Sequence, residues 1–453
     1  MKQRFVGWEL LIMILLLGSL FVGCVEKQQP VEKTLEDIAV DIVTLLMDHK
    51  YTTVYGYFNG SITTQLTADQ FQATWEQQVI RFYGEITGIT GIRVANESGY
   101  QMVYVTCTFS KDGTMDVKTA FNTQQWVIGL TVVPTVIAYV PPSYVNQSLF
   151  TETMVMVGSG EWVLPGNLTV PNGVGPYPAV VLVHGSGPND QDETIGSNKP
   201  FKDLAWGLAS QGMVVLRYEK RTKQYSKEMS DQLQNFTVQE ETINDAIAAV
   251  IVLQAVSVVN QSQIYVLGHS LGGMLAPRIA AQDHRIAGLI IVAGNTRPLE
   301  DLILEQTLYL ANISGTTQTD QINQIRLLVQ KIKTLNFTAD ELVFNAPKSY
   351  WADLAGYDPV ATATTLQIPL LILQGLRDDQ VTMDDFSRWN QTFFGNQNVT
   401  LKTYASLNHL FIAGSGVPTS AEYLIPGHID EQVILDIAAW IVEVNFHHKV
   451  DLS

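Results

Sequence analysis

The chain has 453 residues, long enough for two or three domains rather than one ordinary core. Hydrophobic residues make up 46% of it and charged residues 16%, which excludes a disordered chain. Acidic residues outnumber basic ones 44 to 27, for a formal net charge of −17, and no basic block exceeds Lys220-Arg221. That balance excludes nucleic acid, and electrostatic docking on anionic lipid, as the basis of function.

Lys2 and Arg4 precede an apolar run of 13 residues, Leu10 to Val22, which Gly23-Cys24 closes. Such a run falls short of the roughly 20 residues of a membrane-spanning helix, so residues 1–24 read as a targeting segment. Phe21-Val22-Gly23-Cys24 resembles the lipobox of exported lipoproteins, with Phe21 where leucine is usual. The resemblance implies lipidation of Cys24; the competing reading is an uncleaved anchor helix that also takes in Phe5 to Leu10. Both readings expect an exported protein held at the outer face of the cell membrane, with the membrane itself as a partner. One acyl chain alone holds a protein only marginally. Ten Asn-x-Ser/Thr sequons, from Asn59 to Asn398, fit export and equally fit an Asn- and Thr-rich surface. With Cys24 lipidated, Cys107 is the remaining thiol, and its place in Val103-x-Val105-x-Cys107-x-Phe109 points to the core.

Residues 25–32 read as a polar linker, and 33–150 as a small α+β domain. Leu35, Ile38, Ile42, Leu45 and Leu46 recur at helical spacing. Thr67 and Gln70 form a capping box for a second helix, and strands are expected around 86–94, 101–109 and 125–133. The run from Phe58-Asn59-Gly60 through Leu66-Thr67 to Trp75 and Tyr83-Gly84 resembles a small domain of unknown function found ahead of exported serine hydrolases. The resemblance covers most of 45–133. No cluster of His, Cys and carboxylates in this segment suggests catalysis.

Residues 151–453 alternate apolar runs with helical patterns. Strands are expected at 178–184, 213–218, 263–267, 286–293, 368–374 and 399–404, with helices at 200–211, 240–258, 274–282 and 429–446. Near-continuous apolar runs mark a mostly parallel, doubly wound α/β sheet buried on both faces, whose reactive groups gather where strands end.

Four of those strand ends bear chemistry. Gly268-His269-Ser270-Leu271-Gly272 follows Ile264-Tyr265-Val266-Leu267 and precedes a helix, the setting of a nucleophile elbow with Ser270 at its tip. Asp378 follows Leu370–Gln374 as the acid, with Asp379 as its rival, while Asp384 and Asp385 read as solvated residues on the next helix. His409 follows 399–404 as the base, with His428 as the competitor. The order Ser270, Asp378, His409 is the nucleophile–acid–base order of an α/β-hydrolase. The loop His184-Gly185-Ser186-Gly187-Pro188 after the first strand supplies the Ser186 amide, and the elbow the Leu271 amide, as oxyanion donors. His184 itself reads as structural.

Residues 160–409 resemble the α/β-hydrolase superfamily, and within it the exported esterase and dienelactone-hydrolase-like branch. The likeness rests on His184-Gly185-Ser186-Gly187-Pro188-Asn189-Asp190, Asn198-Lys199-Pro200-Phe201, Asp203-Leu204-Ala205 and Arg217-Tyr218-Glu219-Lys220-Arg221-Thr222. It implies hydrolysis of a small-molecule carboxylic ester with no metal and no organic cofactor. Residues 298–360 read as a helical cap insertion over Ser270, in which Tyr350, Trp351 and Leu354 either line an acyl pocket or pack the cap onto the sheet. A peptidase or acyltransferase running on the same triad remains open, as does a tethered binding protein with a vestigial site.

Overall fold

The computed structural model describes residues 33–453, apart from 98–99, 112, 136–137, 231–234, 315–318, 420–421, 424 and 451–453. Cys24 and the targeting segment lie outside the described residues. The chain divides into two compact units between residues 137 and 138. This is earlier than the expected boundary at 150/151, because side chains tie the intervening segment into the second unit. Tyr139 donates its hydroxyl to Asp203, and Tyr144 donates to the Ile429 carbonyl.

In the first unit, Thr34 and Asp37 make a capping box that starts the helix Leu35–Met47, whose Ile38, Ile42, Val43 and Leu46 are buried. The expected capping box of Thr67 and Gln70 opens a helix at Ala68. An antiparallel sheet follows in the order β1 (Ile86–Glu97), β2 (Tyr100–Phe109), β3 (Gly113–Phe121) and β4 (Val127–Pro134). β3 was not among the expected strands. Asp116 and Lys118 interrupt its apolar pattern, yet Asp116 is buried and accepts hydrogen bonds from the Thr106 and Thr135 hydroxyls. Cys107 lies fully buried in this core, and burial pushes its thiol up to about 12, so it stays protonated.

The second unit is built on an eight-stranded sheet in the order β12-β11-β10-β9-β7-β8-β6-β5. β7 (Tyr177–Val183), β8 (Val214–Tyr218), β9 (Val259–His269), β10 (Ile286–Val292), β11 (Leu370–Gly375) and β12 (Val399–Tyr404) are parallel. Successive residues of the central runs 179–183, 264–267, 289–292 and 370–373 feed opposite cores, which is why these runs are apolar, whereas β12 at the edge carries Thr400, Lys402 and Thr403. Val181, Val183, Leu289 and Ile291 face the helices Asn244–Gln254, Leu271–Gln282 and Met383–Phe393. Val180, Leu182, Ile290 and Val292 face Pro200–Ser210 and Glu431–Val450.

Two antiparallel strands at the sheet edge, β5 (Phe150–Val157) and β6 (Leu164–Pro171), escaped the sequence reading. β5 carries Met154 and Met156 outward into solvent, and Pro165, Gly166 and Asn167 give β6 the composition of a turn. Between β10 and β11 the insertion folds as the helices Leu299–Ser314, Thr319–Thr334, Lys348–Leu354 and Pro359–Thr364. Among the described residues no helix is long and apolar enough to cross a membrane.

Ile290, in the middle of β10, has no exposed surface. Ile290→Ala is expected to cost about 2–5 kcal/mol through lost transfer energy and a residual cavity. A fall in the denaturant midpoint of the transition carrying the second unit would register this; an unchanged midpoint would contradict the packing described.

Candidate active site

β9 ends at His269, and the next helix begins at Leu271. Ser270 between them takes φ 54° and ψ −118°, a left-handed backbone that side-chain-bearing residues rarely adopt. Two hydrogen bonds hold it there: its amide donates to the Val292 carbonyl at 2.9 Å, and its carbonyl accepts from the Met274 amide at 2.9 Å. The tightness of the turn dictates glycine at 272, where a Cβ would lie 2.3 Å from the Val183 carbonyl oxygen. The first turn of the helix thus rests on the end of β7. Leu271 is the first residue of that helix, where an amide has no intrahelical acceptor and the helix dipole favours negative charge.

The loop after β7 passes against the same turn. A Cβ on Gly185 would come within 3.1 Å of Ser270 Cβ, so a side chain there would crowd the elbow and glycine eases the close approach of the loop. Ser186, Gly187 and Ser270 line one cavity of about 480 Å³. Its walls are largely apolar, from Leu299, Leu302 and Ile303 of the first insertion helix and from Phe236, Tyr350 and Trp351. Tyr350 and Trp351 line the cavity, and together with Leu354 they also pack in the core.

His184 is seated in the core against the rings of Phe201 and Tyr218, with Nε2 donating to the Asp190 carbonyl at 3.0 Å. Burial lowers its pKa to about 4, so it is neutral.

Asp378 and His409 meet, Oδ2 to Nδ1, at 2.8 Å, and both are buried. The other carboxylate oxygen accepts from the Gln380 and Val381 amides, each at 2.9 Å, and Gln374 donates to Oδ2 at 3.0 Å. Asp379 makes no such approach; the Tyr423 hydroxyl stands 3.4 Å from it. Asn408 Oδ1 accepts from the Leu410 and Ile412 amides and so shapes the loop that presents His409. His428 is engaged elsewhere, 3.1 Å from Asp203. His269 joins the elbow to the histidine loop, since its Nε2 donates to the His409 carbonyl at 2.9 Å and the two rings lie 4.8 Å apart. One expectation needs correction. Asp384 is exposed as expected, but Asp385 is fully buried, accepting from the Thr296 and Arg297 amides and pairing with the Arg297 guanidinium.

Two family models match the chain. One, described as serine aminopeptidase, S33, matches residues 176–413; the other, a protein of unknown function (DUF3887), matches 39–130. Esterase EstD of Thermotoga maritima is 36% identical over 426 residues, covering 94% of this chain and 98% of that protein. The chain belongs to the α/β-hydrolase superfamily of serine hydrolases. Among solved structures, Est1E from Butyrivibrio proteoclasticus is 15% identical, covering 64% of this chain and 98% of its own, with a TM-score of 0.43. The Pyrococcus horikoshii acylaminoacyl peptidase is 14% identical, covering 72% and 46%, with a TM-score of 0.42.

Several buried charges of the hydrolase's site were missed in the sequence. Glu193 accepts from the Gly185 amide at 2.7 Å and approaches His269 Nδ1 to 2.9 Å as an ion pair, off the line of a good hydrogen bond. Burial opposes charge on both groups. Their mutual attraction outweighs it, raising the pKa of His269 and lowering that of Glu193. Lys220 pairs with Glu241 at 2.9 Å, and Tyr350 donates to Glu241 at 2.9 Å. In the sequence Lys220-Arg221 stood out as a basic pair and as part of the run Arg217–Thr222 that carries the family likeness; its place directly after a buried strand is the signal that could have put it inside.

The neutral His184 has a consequence for stability. Its folded pKa of about 4 lies below the ordinary value near 6.5, so between these the unfolded chain binds a proton that the folded hydrolase does not. Its contribution to stability is therefore full above about pH 6.5 and declines as the pH falls towards 4. Unfolding free energies of wild type and His184→Gln at pH 7 and pH 4.5 test this. The drop between the two pH values should be smaller in the variant, and an equal drop would refute the assignment.

Proposed function

We propose that the hydrolase cleaves carboxylic esters through an acyl-enzyme on Ser270. The observation that supports this reading most is the buried Asp378–His409 pair, on a loop that a hydrogen bond from His269 ties to the residue before the strained serine. Asp378 fixes the tautomer of His409 by accepting from Nδ1, leaving Nε2 as the base. His409 takes the Ser270 proton as the hydroxyl oxygen attacks the ester carbonyl. The Ser186 and Leu271 amides receive the oxyanion, and His409 then protonates the leaving alcohol. Water, activated by the same histidine, releases the acid and restores Ser270. The largely apolar cavity supports a substrate with a hydrocarbon acyl or alcohol group.

The family description and the peptidase neighbour raise amide cleavage as a second reading. Aminopeptidase specificity calls for a carboxylate free to receive a substrate ammonium. Glu241, the carboxylate in the cavity wall, already holds Lys220 and Tyr350. That favours esters, as does the name of the Thermotoga relative.

Ser270→Ala and His409→Ala should each lower turnover of short p-nitrophenyl esters by at least about a thousandfold while the fold is retained, and His428→Ala should leave it near wild type. Substantial turnover by Ser270→Ala would reject the acyl-enzyme. Parallel assays with p-nitroanilides of matched acyl groups would favour the peptidase reading if amides turned over faster.

We further propose that the enzyme works outside the cytoplasm, tethered through lipid on Cys24. The apolar run ending in Gly23-Cys24 supports this. Labelled fatty acid should enter the wild type and not Cys24→Ser, and the variant should leave the detergent-extracted membrane fraction. Equal labelling would exclude Cys24 as the lipidated residue.

A further inference from the structure

The loop that carries the Ser186 amide has a glycine on each side of that serine, and Gly187 takes φ 90°. Glycines on both sides leave the intervening peptide planes free to turn, because no Cβ restricts them. An amide that must point at a developing oxyanion has to be fixed beforehand, since reorientation during the reaction forfeits most of its value. Something other than local backbone sterics must therefore hold this segment.

Two buried charges of opposite sign do so. Glu193, 2% exposed, accepts from the Gly185 N–H at 2.7 Å. Lys220, also 2% exposed, donates from Nζ to the Gly185 carbonyl at 2.7 Å. Asn189 adds weaker bonds to the Gly185 and Ser186 carbonyls at 3.3 and 3.1 Å. The Gly185 carbonyl and the Ser186 N–H belong to one peptide unit, and in a trans peptide they point in opposite directions. An ammonium holding that carbonyl inward therefore turns the Ser186 N–H outward, to the side where Ser186 and Ser270 line the cavity. The same charge-assisted bond draws electron density toward the carbonyl oxygen and makes the N–H a stronger donor. Flipping the peptide would take from a buried ammonium one of its acceptors and leave it Glu241 alone, a change that a neutral donor would not resist as strongly.

We infer that Lys220 is a positioning residue for ester cleavage, acting through the Gly185–Ser186 peptide to orient and polarise the Ser186 oxyanion donor. The inference rests on the acyl-enzyme reading above. It also explains why Glu241 is buried in the cavity wall. Its carboxylate holds Lys220 at 2.9 Å and is held in turn by the Tyr350 hydroxyl, so the insertion helix Lys348–Leu354 reaches the oxyanion peptide through Glu241 and Lys220.

Lys220→Met keeps the length of the side chain and removes its charge and donors. Turnover of a p-nitrophenyl ester should fall about 10- to 100-fold, with KM within about threefold of wild type, because the lost interaction belongs to the transition state. The inhibition constant of phenylboronic acid, which forms a tetrahedral adduct on the serine, should rise by a similar factor. Asp245→Asn, which weakens the neighbouring buried pair with Arg221 away from the loop, should lower the melting temperature and leave kcat near wild type. Lys220→Met with wild-type kcat and boronate affinity would overturn the inference. Should Lys220→Met fail to fold because Glu241 is left unpaired, the double variant Lys220→Met/Glu241→Leu removes both charges. A 10- to 100-fold loss of kcat there, roughly, supports the inference, and wild-type kcat overturns it. Ser270→Ala in the same series separates the two levels. If it stays active, the acyl-enzyme reading fails; if it is inactive while Lys220→Met is unimpaired, only the role of Lys220 fails.

Discussion

The left-handed turn at Ser270 is the constraint on which the rest of the site depends. A serine at φ 54° is strained, and it persists because the surrounding chain leaves it no alternative. Its amide is taken by β10, its carbonyl by the following helix, and the helix sits so close to the end of β7 that residue 272 has no room for a side chain. From this turn follow the exposure of the hydroxyl, the placement of the Leu271 amide at a helix start and the nearness of the Gly185 loop. The parallel sheet is the rigid frame that sustains the strain, since its central strands are buried on both faces.

Around the turn, ionisable side chains are buried in pairs: Asp378 with His409, Glu193 with His269, Lys220 with Glu241. Such pairs are a poor source of stability, because desolvation offsets most of the attraction. They are a good source of orientation, because moving any one member leaves a charge unsatisfied in a medium of low polarity. Each pair here meets a backbone group that shapes the site. Asp378 takes the Gln380 and Val381 amides, Glu193 the Gly185 amide, Lys220 the Gly185 carbonyl and His269 the His409 carbonyl. The loops at the strand ends are thus tied to one another by ionic side chains rather than by sheet hydrogen bonds.

Much of this was legible in the chain itself, for a local reason. Strands buried on both faces must be apolar throughout, so β7, β9, β10 and β11 announce themselves, and the elbow motif is spelled by steric limits acting within five residues. β5 stayed hidden because an edge strand with one solvated face obeys a weaker pattern, and β6 because Pro165, Gly166 and Asn167 read as a turn. Asp385 was read as solvated because its helix presents Asp384 and Asp385 side by side, and only the packing turns one of them inward against Arg297.

The sequence by itself determined the doubly wound sheet and the strand ends where chemistry gathers, with Ser270, Asp378 and His409 as candidates in their order along the chain. The tertiary structure alone paired His409 with Asp378 and not Asp379, placed His428 on Asp203 rather than Asp378, and brought Lys220 onto the Gly185 carbonyl. The physical reason is range. Hydrophobic periodicity and turn sterics are written within about ten residues. Those pairings join groups 31, 225 and 35 residues apart and exist only once the loops converge.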